Sequence, residues 1–182
     1  MKKSFLFLAD GFEEMEAIAV IDVLRRGGVE IQTVSITSQR EVKSAHGVTV
    51  LADCVFGEVS EEDVECLIFP GGMPGAQNLG HCKELMLLLQ RQYDKGGYIA
   101  AICAAPAFVL SQLDVEKKLK LTCFPGFEKF LPNAKVVSDG VVVDGQIITG
   151  KGPGFAVAFG LNILGKLRSS VVATEVAKGM LL

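Results

Sequence analysis

The feature that most constrains this chain is a set of short apolar runs that do not alternate in polarity. Residues 4–9, 66–69 and 98–102 are almost wholly apolar at consecutive positions. A strand wet on one face shows a period of two, so continuous runs predict strands buried on both faces, the mark of a parallel sheet covered by helices. Further strands are expected at 30–36, 49–52 and 146–149. An antiparallel excursion is expected at 136–138 and 141–143, joined near Asp139-Gly140. Helix-length segments occupy 15–26, 83–95, 104–113, 155–167 and 170–178, and Gly27-Gly28 and Gly96-Gly97 supply stops for the first two. The repeat of strand, helix and strand predicts an α/β sandwich with a mostly parallel sheet and right-handed crossovers.

Two of these helices are apolar nearly all round. Only Glu16 and Asp22 interrupt residues 15–24, and only Asn162 interrupts 155–164. Such helices need cover on both sides: the sheet on one, another helix or a second subunit on the other. The apolar content of 49% points the same way, towards a homo-oligomer. A length of 182 residues without linker or repeat fits one domain, residues 1–182.

Charge and cysteine content narrow the function. The net charge is −3 with the signs mixed, so no basic face for nucleic acid is expected. Five cysteines, an odd number with no C-x-x-C pair, argue against a disulfide framework and against a metal site, and for reduced thiols in the cytoplasm. The apolar run after Lys2 and Lys3 stops at Asp10, short of the roughly 7–15 apolar residues of a secretory core, and no membrane span is expected.

The candidate chemistry begins at residues 98–106, where an apolar strand runs into a small-residue helix start with Cys103 at the junction. This is the pattern of a nucleophile elbow. Ala101, Ala104 and Ala105 leave room for a tight turn, and Pro106 suits a first helical turn. A free thiol is only about 3% thiolate at pH 7, and a helix N-terminus favours an anion by roughly 0.3–2 kcal/mol, so near-complete ionisation wants another donor on the sulfur. The competing reading is a buried structural cysteine, which Cys54, Cys66 and Cys82 fit better.

The turn after the first strand, residues 10–16, is acidic, and ligands of open parallel sheets bind outside the carboxyl ends of strands. Glu13 and Glu14 fit a helix start, where acids complement the dipole. Glu16 lies among apolar neighbours; turned inward it would keep its proton and donate to the Cys103 thiolate, or, deprotonated, serve as a general base. The glycine turn 69–76 lacks both dinucleotide and P-loop spacing; its backbone N–H groups suit a developing oxyanion.

Residues 9–16, 70–79, 100–106 and 152–154 together resemble the ThiJ/PfpI superfamily, in the branch of the parkinsonism-associated deglycase, and the likeness runs nearly end to end. The resemblance implies a flavodoxin-like three-layer sandwich and a homodimer. It implies Cys103 as the reactive cysteine, Glu16 as its hydrogen-bonded partner, and the backbone of Gly71, Gly72 and Ala104 at the anion site, without cofactor. Members with protease-like activity carry a His directly after the cysteine; Ala104 stands there, which disfavours a Cys-dependent amidase or protease. Some members of the nearer branch carry a His in the stretch matching 122–125, where this chain has Phe124. His46 falls where relatives bring a basic residue from the partner subunit, and His81 reads as a helix-start residue.

Two functions follow as expectations. One is a cofactor-free glyoxalase or deglycase in carbonyl and oxidative stress protection, with Cys103 attacking a small α-oxoaldehyde and Glu16, with His46 as a candidate helper, moving protons. The other is a redox-sensing stress protein or holdase whose Cys103 is oxidised without turnover.

Overall fold

The structure is a computed structural model and describes residues 2–115 and 118–182. In chain order the elements are β1 (Lys3–Leu8), α1 (Glu14–Arg26), β2 (Ile31–Ser35), β3 (Glu41–Lys43), β4 (Thr49–Leu51), β5 (Cys54–Val55), β6 (Val64–Phe69), α2 (Gly75–His81), α3 (Lys83–Asp94), β7 (Tyr98–Ile102), α4 (Ala105–Phe108), β8 (Lys120–Leu121), β9 (Lys135–Val136), β10 (Val141–Asp144), β11 (Ile147–Gly150), α5 (Ala156–Leu167) and α6 (Ser170–Gly179). Seven strands form the main sheet in the order β10-β11-β7-β6-β1-β2-β5. Every pairing in it is parallel except β10 with β11.

The continuous apolar runs are the centre of this sheet. Phe5 to Leu8 of β1 and Cys66 to Phe69 of β6 are buried throughout. Phe7 stacks on Phe69 across the two strands with ring centroids 5.4 Å apart. Each such buried ring contributes about 1.5–3 kcal/mol relative to exposure. Helix α1 packs on α5 and α5 on α6, while α2 packs on α3 and α4, so helices cover both faces. The fold is a flavodoxin-like three-layer sandwich. Because β1 has β2 on one side and β6 on the other, the direction of sheet growth reverses there. The loops leaving the carboxyl ends of β1 and β6 meet at that point, outside the strand ends where ligands of open parallel sheets bind.

Several expectations are corrected. Residues 49–51 do form a strand, but it pairs antiparallel with β3 in a separate ribbon outside the main sheet. The antiparallel excursion uses a different turn: β10 pairs with β11 across Gly145, at φ +61, not with residues 136–138 across Asp139-Gly140. A tight hairpin favours the residue that takes a left-handed backbone without cost. β9 pairs parallel with β8 instead. The helix expected over 104–113 is α4 followed by a 3₁₀ turn at Leu110–Gln112. Helix α2 was not anticipated, and His81 closes it rather than starting a helix.

Candidate functional site

Three loops at the carboxyl end of the sheet assemble the site. The first follows β1, where Glu13 caps α1: its Oε2 accepts from the Glu16 amide at 2.7 Å. The Glu13 amide in turn donates to the Gly71 carbonyl at 2.9 Å, which ties the start of α1 to the loop after β6. Helix α1 then carries Glu16 inward, where the residue is 0% exposed. Its Oε2 accepts from the Gly71 amide at 2.7 Å, and Oε1 is buried without a hydrogen-bond partner. Burial raises the Glu16 carboxyl to about 7; the Gly71 hydrogen bond and the Cys103 thiol oppose the rise, and the Glu13 carboxylate adds to it.

The second loop places Cys103 at the tip of β7. Its amide donates to the Gly150 carbonyl at 2.9 Å, and its carbonyl accepts from the Phe124 amide at 2.8 Å. Held at both ends, the residue adopts φ +65, a left-handed backbone that costs a non-glycine residue about 1–3 kcal/mol. The next residue, Ala104, has already turned helical. This is the geometry of a nucleophile elbow, with strain concentrated at the residue that bears the sulfur. Cys103 is 8% exposed, so the sulfur is sheltered but not sealed.

The third loop supplies the surroundings of that sulfur. Burial pushes the Cys103 thiol up, as does a charged Glu16, while the amides of Gly72 and Ala104 donate to the sulfur and pull it down. Both effects of Glu16 depend on its charge. Once Glu16 holds its proton the repulsion vanishes, and its O–H becomes a third donor to the sulfur. Cysteine and glutamate are therefore one coupled pair, in which a proton on the carboxyl favours an anion on the sulfur. The loop must contain glycine to come this close. A Cβ on Gly71 would lie 2.6 Å from the Cys103 Cβ and 2.8 Å from Glu16 Oε2. Gly72 has φ +87, which aims its amide at the sulfur.

Glu16, Cys103, Gly71, Gly72 and Ala104 thus come together from positions far apart in sequence. Gly71, expected at the anion site, instead donates its amide to Glu16. Glu14 and His46 form a separate pair at the surface, with His46 Nδ1 3.1 Å from both carboxylate oxygens. Partial desolvation pushes the Glu14 carboxyl up, but its own amide, His46 and Ser44 outweigh this and hold it below the ordinary value. Donor atoms of Glu13, Glu14 and His46 lie within 4.8 Å of one another, a set that offers three ligands to a cation. The Glu14–His46 ion pair and the Glu13 cap already give these groups partners. Sequence reasoning missed the part played by Gly150, whose carbonyl anchors Cys103; the end of an apolar strand beside the cysteine strand was the available signal.

The chain matches the DJ-1/PfpI family model over residues 2–166. It is 37% identical to Protein dj-1beta of Drosophila melanogaster, over 99% of this chain and 97% of the relative. It is 33% identical to a Caenorhabditis elegans protein named glutathione-independent glyoxalase DJR-1.2, over 100% of this chain and 97% of that one. Identity to Protein DJ-1 homolog B of Arabidopsis thaliana is 35%, covering 97% of this chain but only 40% of the relative. The chain thus spans less than half the length of that plant protein. Among solved structures, the Drosophila melanogaster DJ-1beta crystal structure superposes with a TM-score of 0.94 at 38% identity, covering 100% of this chain and 98% of that one. An oxidized Toxoplasma gondii DJ-1 superposes with a TM-score of 0.93 at 32% identity, with 100% and 98% covered. On the family match and these full-length likenesses, the chain belongs to the DJ-1/PfpI family.

Proposed function

We infer that the chain is a cofactor-free, cysteine-dependent glyoxalase of the deglycase type, acting on small α-oxoaldehydes or their adducts. The observation that supports this most is the left-handed turn at Cys103, which presents the sulfur to two amides and a carboxyl whose value near 7 lets it both give and take a proton. The naming of the nematode relative as a glyoxalase agrees with it.

In the proposed reaction the Cys103 thiolate adds to the aldehyde carbon, and the Gly72 and Ala104 amides steady the negative charge. Glu16 gives its proton to the new alkoxide, which leaves a hemithioacetal. The Glu16 carboxylate then removes the proton on that carbon and returns it to the neighbouring carbonyl carbon through an enediol. The product is a thioester of a 2-hydroxy acid. Water cleaves the thioester, freeing the acid and restoring the thiol, so one aldehyde and one water give one hydroxy acid with no external oxidant. Glu13 caps the start of α1, and His46 meets Glu14 beside it.

Residues 1–182 act as one domain, and the assembly is a homodimer in the cytoplasm. Met15, Ile18, Val48 and Leu51 support the dimer: all are large, apolar and at least 48% exposed, on α1 and on the β3–β4 ribbon beside it. No helix among the described residues is long and apolar enough to cross a membrane.

The test is methylglyoxal consumption with lactate as the product. Multiple turnovers by the wild type, lost in Cys103→Ala, are expected. Lactate limited to one equivalent per site would sink the enzyme. A sensor or holdase reading would then stand, in which peroxide oxidises Cys103 and the oxidised sulfur keeps the same amide and carboxyl partners. The oxidized state of the Toxoplasma gondii DJ-1 structure favours that second reading.

A further inference from the structure

Two large, exposed apolar residues that the proposed chemistry does not use are joined through the backbone to the groups around Cys103. Phe124 is 42% exposed, although its own amide is fixed to the Cys103 carbonyl at 2.8 Å. Its ring is placed by the loop after β11: a Cβ on Gly152 would sit 3.3 Å from the ring edge. Gly152 is two residues beyond Gly150, whose carbonyl holds the Cys103 amide. On the opposite loop Met73 is 43% exposed and directly follows Gly72, whose amide reaches the sulfur. Both residues therefore stand one residue or one backbone hydrogen bond from the groups that hold the sulfur. Phe124 continues into an aromatic row, meeting Phe127 edge-on at 6.2 Å, with Phe127 and Phe130 6.0 Å apart.

An exposed ring costs hydration and supplies no proton, so its value at a reactive site is to cover something apolar. An aldehyde carbon held at the sulfur leaves the substituent on the neighbouring carbonyl carbon to extend past these loops. A methyl group is too small to use a phenyl face and a thioether together, whereas a planar aryl group can lie against both. We propose that Phe124 and Met73 form an apolar collar that selects α-oxoaldehydes bearing an aryl substituent over those bearing a methyl group. This rests on Cys103 being the reacting group, and it deepens that reading by naming the substrate class.

The test needs no turnover. Cys103 is alkylated with phenacyl bromide or with bromoacetone, which differ only in phenyl against methyl, and each rate is divided by that reagent's rate with N-acetylcysteine. Peptide mass mapping confirms the site. The normalised preference for the phenyl reagent is expected to be about tenfold in the wild type, the discrimination typical of a partly enclosed apolar contact. It should fall towards unity in Phe124→Ala, fall part of the way in Met73→Ala, and persist in Phe130→Ala, whose ring lies further along the row. Equal normalised rates in the wild type, or a preference untouched by Phe124→Ala, would overturn the collar alone. Failure of both reagents to modify Cys103 would overturn the reactive-sulfur reading and the collar with it. A merely structural role for Phe124 would slow or speed both reagents alike and leave their ratio at the wild-type value.

Discussion

Cys66 and Cys103 lie on adjacent strands of one sheet, and both are buried apolar-context thiols. Cys66 sits inside β6, is 0% exposed, and its thiol contacts the Leu67 carbonyl. Burial pushes its thiol up, and the Glu65 carboxylate pushes further; no donor opposes them. Cys103 is pushed up by burial as well, yet two amides pull it back and a protonatable carboxyl stands beside it. The contrast teaches that burial alone does not separate the proposed reactive cysteine from a structural one. Position along the strand does: in the middle of a parallel strand every amide is committed to the ladder, while past its end amides are free to turn onto a sulfur.

The sharpest way to break this contrast is to remove each sulfur in turn. Cys103→Ala should abolish lactate formation from methylglyoxal, a loss of about a thousandfold or more, as for other covalent nucleophiles. Cys66→Ala should leave kcat and KM within about twofold and lower stability by about 1 kcal/mol through the small cavity left in β6. Both are read from steady-state rates and urea unfolding. Activity surviving in Cys103→Ala, or vanishing in folded Cys66→Ala, would reverse the assignment.

The next effect concerns the carboxyl that separates the two sites. Glu16→Gln keeps the shape but cannot cycle a proton, and turnover should fall about a hundredfold or more. The same variant has a signature in stability. Folding raises Glu16 from 4.5 to about 7, so between those values the folded chain holds a proton that the unfolded chain has released. The stability that neutral Glu16 contributes is complete below about pH 4.5 and is lost as pH rises through about 7, a change of about 3 kcal/mol at most. Urea unfolding at pH 5 and pH 8 should show this loss in the wild type and a smaller one in Glu16→Gln. An identical pH dependence in both would show that Glu16 is charged throughout.

Gly72→Ala should have a smaller but still clear effect. At φ +87 a side chain is strained, and its Cβ would press on the backbone of residues 11–13. A destabilisation of about 1–3 kcal/mol is expected, together with slower alkylation of Cys103 by iodoacetamide at neutral pH, because the amide leaves the sulfur. Unchanged alkylation in the folded variant would remove Gly72 from the anion site.

What was legible in the sequence follows the same division between strand interiors and strand ends. Runs such as 4–9, 66–69 and 98–102 announce buried parallel strands because packing on both faces forbids a polar position, and the structure places all three at the sheet centre. The short strands were illegible where two residues pair only because tertiary contacts align them, as in β5 and β8. The α4 break was hidden because Ala104 to Leu113 has good helical residues, while the tight exit from Cys103 and the packing of α2 on α4 shorten the helix. The inward turn of Glu16 was readable from its apolar neighbours, and the place of Cys103 just past a strand end from the run before it. Gly71 was misplaced because a glycine turn says that some amide approaches something, without saying which amide reaches which atom. His46 was visible as a basic residue, but its pairing with Glu14 depends on a bridge between Phe12 and Ser44 that no local pattern encodes.

The smallest effect tests whether the carboxyl and the helix start are coupled. Glu13 does two things at once: it caps α1 by accepting from the Glu16 amide, and its charge adds to the upward push on Glu16. Glu13→Ala should therefore cost about 1 kcal/mol of stability through the lost cap. It should also lower the pH at which the Glu16-dependent stability is lost, because removing a neighbouring negative charge makes a second one easier to bear. Glu13→Gln separates the two, since its side-chain oxygen can still accept from the Glu16 amide while the charge is gone. Urea unfolding across pH 4 to 8 should then show Glu13→Gln near wild-type stability at low pH but with the Glu16 midpoint shifted down. A midpoint that stays put in both variants would mean that burial alone raises Glu16. The special character of the Cys103 end of the sheet would then come from desolvation and amides, without the acidic turn.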